Sequence, residues 1–163
     1  MHQKKNCWKC KKTINLSNIC CTFCSTIQEP INQNPFELFS LNKTFNINLD
    51  LLEERYLSLQ SIAHPDRYVR SSEKEKKFSL LHSSNINRSY KKIKNNSERL
   101  KILLEINGFK SNDEKSLNDP SLLEEIMDIQ NRCMLANESE KIRIAKELKE
   151  KIKNTKELIS SLF

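Results

Sequence analysis

Glycine is almost missing from this chain, with one residue in 163, and proline occurs only four times. That scarcity excludes a fold of many tight turns, because turns draw on the positive φ of glycine and the fixed φ of proline. No apolar run approaches the ~20 residues that a helix needs to cross a bilayer. The N-terminus also lacks the apolar block of a secretory signal, so the expectation is a soluble protein with no membrane partner. Aromatics make up 7% and hydrophobic residues 37%, enough to bury one modest core or two small ones. Charge, by contrast, is plentiful and uneven. The net value of +7 lies in the first two thirds: residues 1–34 hold five lysines against one glutamate, whereas residues 111–163 hold nine basic against eleven acidic side chains. The basic part should meet an acidic partner.

What is present is helical periodicity on both sides of one bend. From Asp50, the residues Leu52, Tyr56, Leu59 and Ala63 fall on one helical face, with Asp50 and Glu53 as a capping box. Pro65 has no N–H to donate and disfavours helical geometry at His64, so the helix should stop there and present His64-Pro65-Asp66 in a turn. A second helix starts at Ser72, boxed by Glu75, with Phe78, Leu81, Ile86, Tyr90 and Ile93 as its stripe. The two should close as an antiparallel hairpin over a shared seam. Further on, Ser97 caps a helix with Leu100, Leu103 and Leu104 inward and Gly108 at its end, and Asp119-Pro120 opens another. Asn137 and Glu140 box a last helix carrying Ile142, Ala145, Leu148, Ile152 and Ile159. The fold class is all-α.

Cysteines supply the second feature. Cys7-Trp8-Lys9-Cys10 and Cys21-Thr22-Phe23-Cys24 are two tight knuckles with ten residues between the inner cysteines. Each knuckle presents two sulfurs to one ion, which suits tetrahedral thiolate coordination of zinc. Cys20 is a competing fifth thiol beside Cys21 and leaves the register open. Lys4, Lys5, Lys9, Lys11 and Lys12 can offset the charge of four thiolates. So short a segment has almost no core, and zinc would be what folds it. The alternatives are disulfides or a redox pair, but nothing indicates an exporting context and no alternating strand and helix pattern surrounds the cysteines. Cys133, alone on its helix, is expected to be a small buried apolar residue.

An amphipathic helix, His64-Pro65-Asp66 in the connecting loop, Arg67 and Arg70 just after it and a longer second helix together resemble a J domain. The resemblance implies that Pro35, Phe36, Leu38 and Phe39 form the short first helix. It also implies that the loop and the face of the preceding helix bind a DnaK-type chaperone and stimulate its ATP hydrolysis. The run Asn87-Arg88-Ser89-Tyr90, then Ser97-Glu98-Arg99-Leu100, then Leu103-Leu104-Glu105-Ile106-Asn107-Gly108-Phe109 is similar to HscB, the J-protein family dedicated to iron-sulfur cluster assembly. Leu122-Leu123-Glu124-Glu125-Ile126-Met127-Asp128-Ile129 resembles the segment with which that family meets the scaffold on which clusters are built. The client-binding role this implies falls on Leu123, Met127, Asp128 and Asn131. An inward stripe would have the same periodicity, and the residues alone do not separate the two readings for Leu123 and Met127; Ile126 and Ile129 are read as inward.

The resemblance divides the chain into a zinc-binding segment at 1–29, a linker at 30–34, a J domain at 35–110 and a C-terminal helical domain at 111–163. Two departures stand out. The family continues into a third C-terminal helix, whereas this sequence stops at Phe163, which puts client affinity in doubt. The helix before the loop carries only Arg55, the other basic residues having moved to Lys74, Lys76, Lys77, Arg88, Lys91, Lys92 and Lys94. On this reading the protein is no enzyme, since a third member of any catalytic group and a substrate pocket are both missing. Asp66, His64 and Pro65 act on an HscA-like chaperone, Arg55, Arg67 and Arg70 add attraction, and the C-terminal helices hold an IscU-type scaffold. The expected state is a monomer in a bacterial cytoplasm, with the mitochondrial matrix as the alternative. A rival class, a nucleic-acid binder, would stack bases on Trp8 and Phe23. Its weakness is the shortage of aromatics.

Overall fold

Asparagine starts most of the helices. In the computed structural model, which describes residues 3–109 and 120–163, Asn34 caps α1 (Pro35–Leu38) and Asn48 caps α2 (Leu49–Ala63). Ser72, in the expected box with Glu75, caps α3 (Glu73–Lys94). The Asn95 carboxamide receives the amides of Ser97 and Glu98 at the start of α4 (Asn96–Ile106). After α5 (Pro120–Leu135), Asn137 and Glu140 form the expected box of α6 (Glu138–Leu162). The caps expected at Asp50 and Ser97 are thus corrected to Asn48 and Asn95, whose short side chains reach the open first-turn N–H groups from two residues earlier. The cap expected at Asp119 lies outside the described residues. Gly108 ends the α4 segment at φ 85, a conformation that a side chain would strain.

The chain forms two compact units, Met1–Leu103 and Leu104–Phe163, so the division falls within α4. In the first unit α2 and α3 run antiparallel, since Ala63 meets Ser79, Gln60 meets Ser83 and Tyr56 meets Asn87. Leu52, Ala63, Phe78, Ile86 and Ile93 fill their seam, with Phe36 and Phe39 beneath. Each large side chain buried there stabilises the unit by about 2 kcal/mol. Leu81, expected in the seam, is exposed; Ser79, His82 and Ser83 are buried instead. The seam near the bend is therefore polar, and its hydroxyls serve the backbone and side chains of α2. At the far end Tyr56 stacks on Tyr90 at 4.2 Å, and Glu53 accepts the Tyr90 hydroxyl. Ahead of these helices a ribbon of β1 (Lys4–Asn6) and β2 (Thr13–Asn15), antiparallel with Lys5 opposite Ile14, carries the cysteine segment.

In the second unit α5 and α6 also run antiparallel, joined by ion pairs of Arg132 with Glu147 at 2.9 Å and of Lys151 with Glu125. Ile144 is buried there, but Ile142 and Ile152 are exposed, as are Ile126 and Cys133. These overturn the inward positions expected for them, because a two-helix hairpin offers one narrow seam and leaves the remaining apolar faces open. Among the described residues no helix is long and apolar enough to cross a membrane.

Candidate functional site

A helix that stops at residue 63 leaves its last four carbonyls without helical partners. Here each one has a named donor. Gln60 O receives the His64 amide at 2.8 Å, and Ser61 O receives Nη1 of Arg67 at 2.6 Å. The Tyr68 hydroxyl donates to Ile62 O at 3.0 Å, and the Ser79 hydroxyl to Ala63 O at 2.7 Å. Pro65 permits this, because it opens a 3-10 turn over Pro65–Tyr68 that folds Arg67 and Tyr68 back over the end of α2. The same turn leaves the other side chains outward. His64 Nδ1 accepts the Asp66 amide at 3.3 Å and lies 3.6 Å from Asp66 Oδ2, while the two side chains are 53% and 86% exposed. Imidazole and carboxylate thus stand side by side in solvent on a backbone held from behind. Arg70 is exposed near them. Arg55 is otherwise engaged: its Nη1 donates to Phe39 O at 2.7 Å and to Ser40 O, tying the end of α1 to α2.

The two knuckles share one geometry. The Cys7 amide donates to Lys12 O at 2.9 Å and the Lys11 amide to Cys7 O at 3.0 Å; in the second, the Cys21 amide donates to Thr26 O and the Ser25 amide to Cys21 O, both at 2.9 Å. Lys11 and Ser25, with φ of 62 and 56, make the left-handed step that closes each turn. Sulfurs of Cys7, Cys10, Cys21 and Cys24 come within 4.8 Å of one another, and the Cys7–Cys24 and Cys10–Cys21 separations are 3.7 Å. A tetrahedron with bonds of ~2.3 Å has edges of ~3.8 Å, so the four donors fit a metal ion. Cys21, not Cys20, belongs to this set, which closes the register left open by the sequence. Burial pushes the Cys7 thiol up, but the amides of Cys10 and Lys9 and the neighbouring thiols outweigh it and bring it down to about 6. The Lys12 amide favours the Cys10 thiolate, yet burial and the other three thiols push it up to about 11. A cation among the four sulfurs would favour their thiolate forms.

The remaining expected site residues are Leu123, Met127, Asp128 and Asn131 on α5. All four are exposed, Leu123 and Met127 by 50% and 62%, and Asp128 lies 3.7 Å from Arg132. Trp8 is not free to stack on bases: its Nε1 donates to Ile27 O at 2.8 Å and its ring meets Phe78 edge-on at 6.4 Å. That removes one of the two aromatics the nucleic-acid reading needed. The sequence reading missed Tyr68 and Ser79 as caps of α2. Tyr68 had one legible signal, its place one turn after a proline that ends a helix.

No family model matches the chain. Over 150 residues it is 28% identical to the iron-sulfur cluster co-chaperone protein HscB homolog of Arabidopsis thaliana, which covers 90% of this chain and 58% of that protein. Over 133 residues it is 32% identical to the mouse iron-sulfur cluster co-chaperone protein HscB, covering 77% and 56%. A co-chaperone protein HscB homolog of Shewanella pealeana is 35% identical over 96 residues, covering 58% and 55%. The chain thus spans somewhat over half the length of these relatives. In three dimensions it is similar to the crystal structure of the human co-chaperone protein HscB, with a TM-score of 0.81 at 29% identity over 96% of this chain and 83% of that one. For the chaperone HscB from Vibrio cholerae the TM-score is 0.69 at 25% identity, over 78% and 79%.

Proposed function

We propose that this chain, a homologue of the HscB co-chaperones in sequence and in fold, is itself a co-chaperone of iron-sulfur cluster assembly that stimulates a DnaK- or HscA-type ATPase through His64, Pro65 and Asp66. The observation that carries the reading is the corner itself. An imidazole and a carboxylate project into solvent from a backbone whose every loose carbonyl is capped, which is a surface for another protein and not an internal active site. Asp66 offers a carboxylate to cationic groups of the chaperone, His64 a hydrogen-bonding ring, and Pro65 fixes the angle between them. Arg70 adds attraction at range; Arg67 and Arg55 contribute by holding α2 and α1 in position.

In this reading residues 35–110 form the J domain and residues 111–163 the client-binding domain, where Leu123, Met127, Asp128 and Asn131 offer an apolar and acidic strip to an IscU-type scaffold. Cys7, Cys10, Cys21 and Cys24 hold a structural zinc, which when bound cross-links the two knuckles. The Cys7 sulfur also accepts Nε2 of Gln28 at 3.4 Å, and the Cys10 and Phe23 amides point at Cys7 and Cys21, so the chain stabilises thiolate charge at the site. Replacing Asp66 with Ala, or His64 with Gln, should abolish stimulation of a DnaK-type ATPase while scaffold binding persists. Unchanged stimulation in both variants rejects the assignment.

A further inference from the structure

The turn that carries His64 and Asp66 buries none of its own residues, so its shape depends on what its neighbours grip. Tyr68 is the ring in that turn. Its hydroxyl donates to Ile62 O at 3.0 Å and also lies 3.7 Å from the Cys20 sulfur, and that second contact crosses from the corner to the cysteine segment. Cys20 directly precedes the cluster residue Cys21 and pairs through a backbone bridge with Ile27, whose carbonyl receives Trp8 Nε1. Trp8 in turn sits between Cys7 and Cys10. The same face of the segment grips the far side of the bend. Lys9 lies 3.9 Å from Glu75, the box residue of α3, Lys74 lies over the Trp8 ring at 4.5 Å, and His82 Nε2 donates to Gln28 O at 3.0 Å. Each of these contacts starts from the segment that carries the knuckles, and a segment with so little core loses its shape when its sulfurs are not held together.

We propose that the cysteine segment is a brace for the His64-Pro65-Asp66 corner, with Cys20 and Tyr68 as positioning residues, so that occupancy of the four-sulfur cluster sets the order of the corner. The inference rests on the proposed chaperone-docking role of the corner but concerns its rigidity, which is measurable without any chaperone. Opening the knuckles releases Cys20 and Trp8 together, leaves the Tyr68 hydroxyl a single partner and frees the first turn of α3. The corner then samples conformations in which imidazole and carboxylate are no longer side by side.

The test uses the full chain loaded with zinc, the same chain after chelation, and zinc-loaded Tyr68→Phe and Cys20→Ala. Amide exchange across residues 64–70 and emission from Trp8, the sole tryptophan, are read on each. Chelation is expected to shift Trp8 emission to the red and to speed exchange at the corner. Tyr68→Phe, which keeps the ring and removes the hydroxyl, should speed corner exchange roughly fivefold with Trp8 emission unchanged, and Cys20→Ala should move it the same way by less. Should chelation unfold the hairpin outright, Tyr68→Phe decides the question. Corner exchange equal to wild type in both variants, or untouched by chelation while Trp8 is released, overturns the brace. Stimulation of a DnaK-type ATPase, read in parallel, separates the two ideas. If wild type shows none while corner exchange behaves as expected, the docking role fails and the brace stands.

Discussion

Arg99 is buried with its guanidinium on carbonyl and carboxamide oxygens, and its position shows how one side chain can join three elements. Nε donates to Phe45 O at 2.7 Å, Nη1 to Ile93 O at 2.6 Å and Nη2 to Asn96 Oδ1 at 2.6 Å, with the guanidinium 5.0 Å from the Phe45 ring. Ile93 belongs to the last turn of α3, where the helix presents its negative end, so backbone dipoles hold the charge. Arg99→Met keeps the bulk but strands those acceptors. It should lower unfolding free energy by roughly 2–4 kcal/mol in urea titration, with Arg99→Lys recovering part; a loss under about 0.5 kcal/mol refutes the role. His82 gives the second residue-level prediction. Burial pushes its pKa down and outweighs the Gln28 carbonyl, which accepts from Nε2 at 3.0 Å and favours the charged ring. Below its ordinary value of 6.5 the unfolded chain binds a proton that the folded chain refuses, so stability falls as pH drops through that range. The charges at this site are Lys5, which opposes protonation, and Glu29 nearby. His82→Gln should flatten the acid limb between about pH 7 and 5.5 in thermal unfolding; an identical limb in both proteins removes His82 as its cause.

Helix starts separate what the letters of a sequence can and cannot say. Ser72 with Glu75 and Asn137 with Glu140 were legible because each pair satisfies the other's amide, a reciprocal pattern with fixed spacing. Asp50 with Glu53 has the same spacing, but the cap of α2 lies two residues earlier at Asn48, and Glu53 is drawn away to Tyr90 and Lys94. Asn48→Ala and Asn95→Ala should each cost about 1 kcal/mol, whereas Asp50→Ala and Ser97→Ala should each stay below about 0.5 kcal/mol. The reverse order in denaturant unfolding would restore the caps read from the sequence. Proline made the end of α2 equally legible, since removing a donor and restricting the preceding residue are local effects. The side chains that then cap the carbonyls were legible only in part. Tyr68 reaches back 6 residues and had its place one turn after Pro65 as a signal, whereas Ser79 reaches back 16 and nothing in its local pattern distinguishes a hydroxyl facing a helix end from one facing water.

At the scale of the whole molecule, the hairpin seam of α2 and α3 and the four-cysteine set follow from periodicity and spacing. The open faces of α5 and α6 do not, because a stripe of Leu123, Met127 and Ile126 has one spacing whether it is covered or bare. That ambiguity ends in an experiment on the two stations together. Leu123 and Met127 lie in the second unit and Asp66 in the first, with a shared chain as the link. The Leu123→Ala, Met127→Ala double variant should weaken scaffold binding by calorimetry about tenfold or more, yet leave scaffold-free stimulation of the chaperone ATPase at its wild-type level. Asp66→Ala should do the opposite. Losses at separate sites without shared partners add, so the triple variant should show both defects at their single-variant sizes. On the proposed function, any enhancement of ATPase rate from presenting scaffold and chaperone on one tether should vanish in each variant alone, since it needs both engagements at once. If the α5 variant also halves scaffold-free stimulation, the two ends are not independent stations, and the exposed leucine and methionine serve the J domain itself.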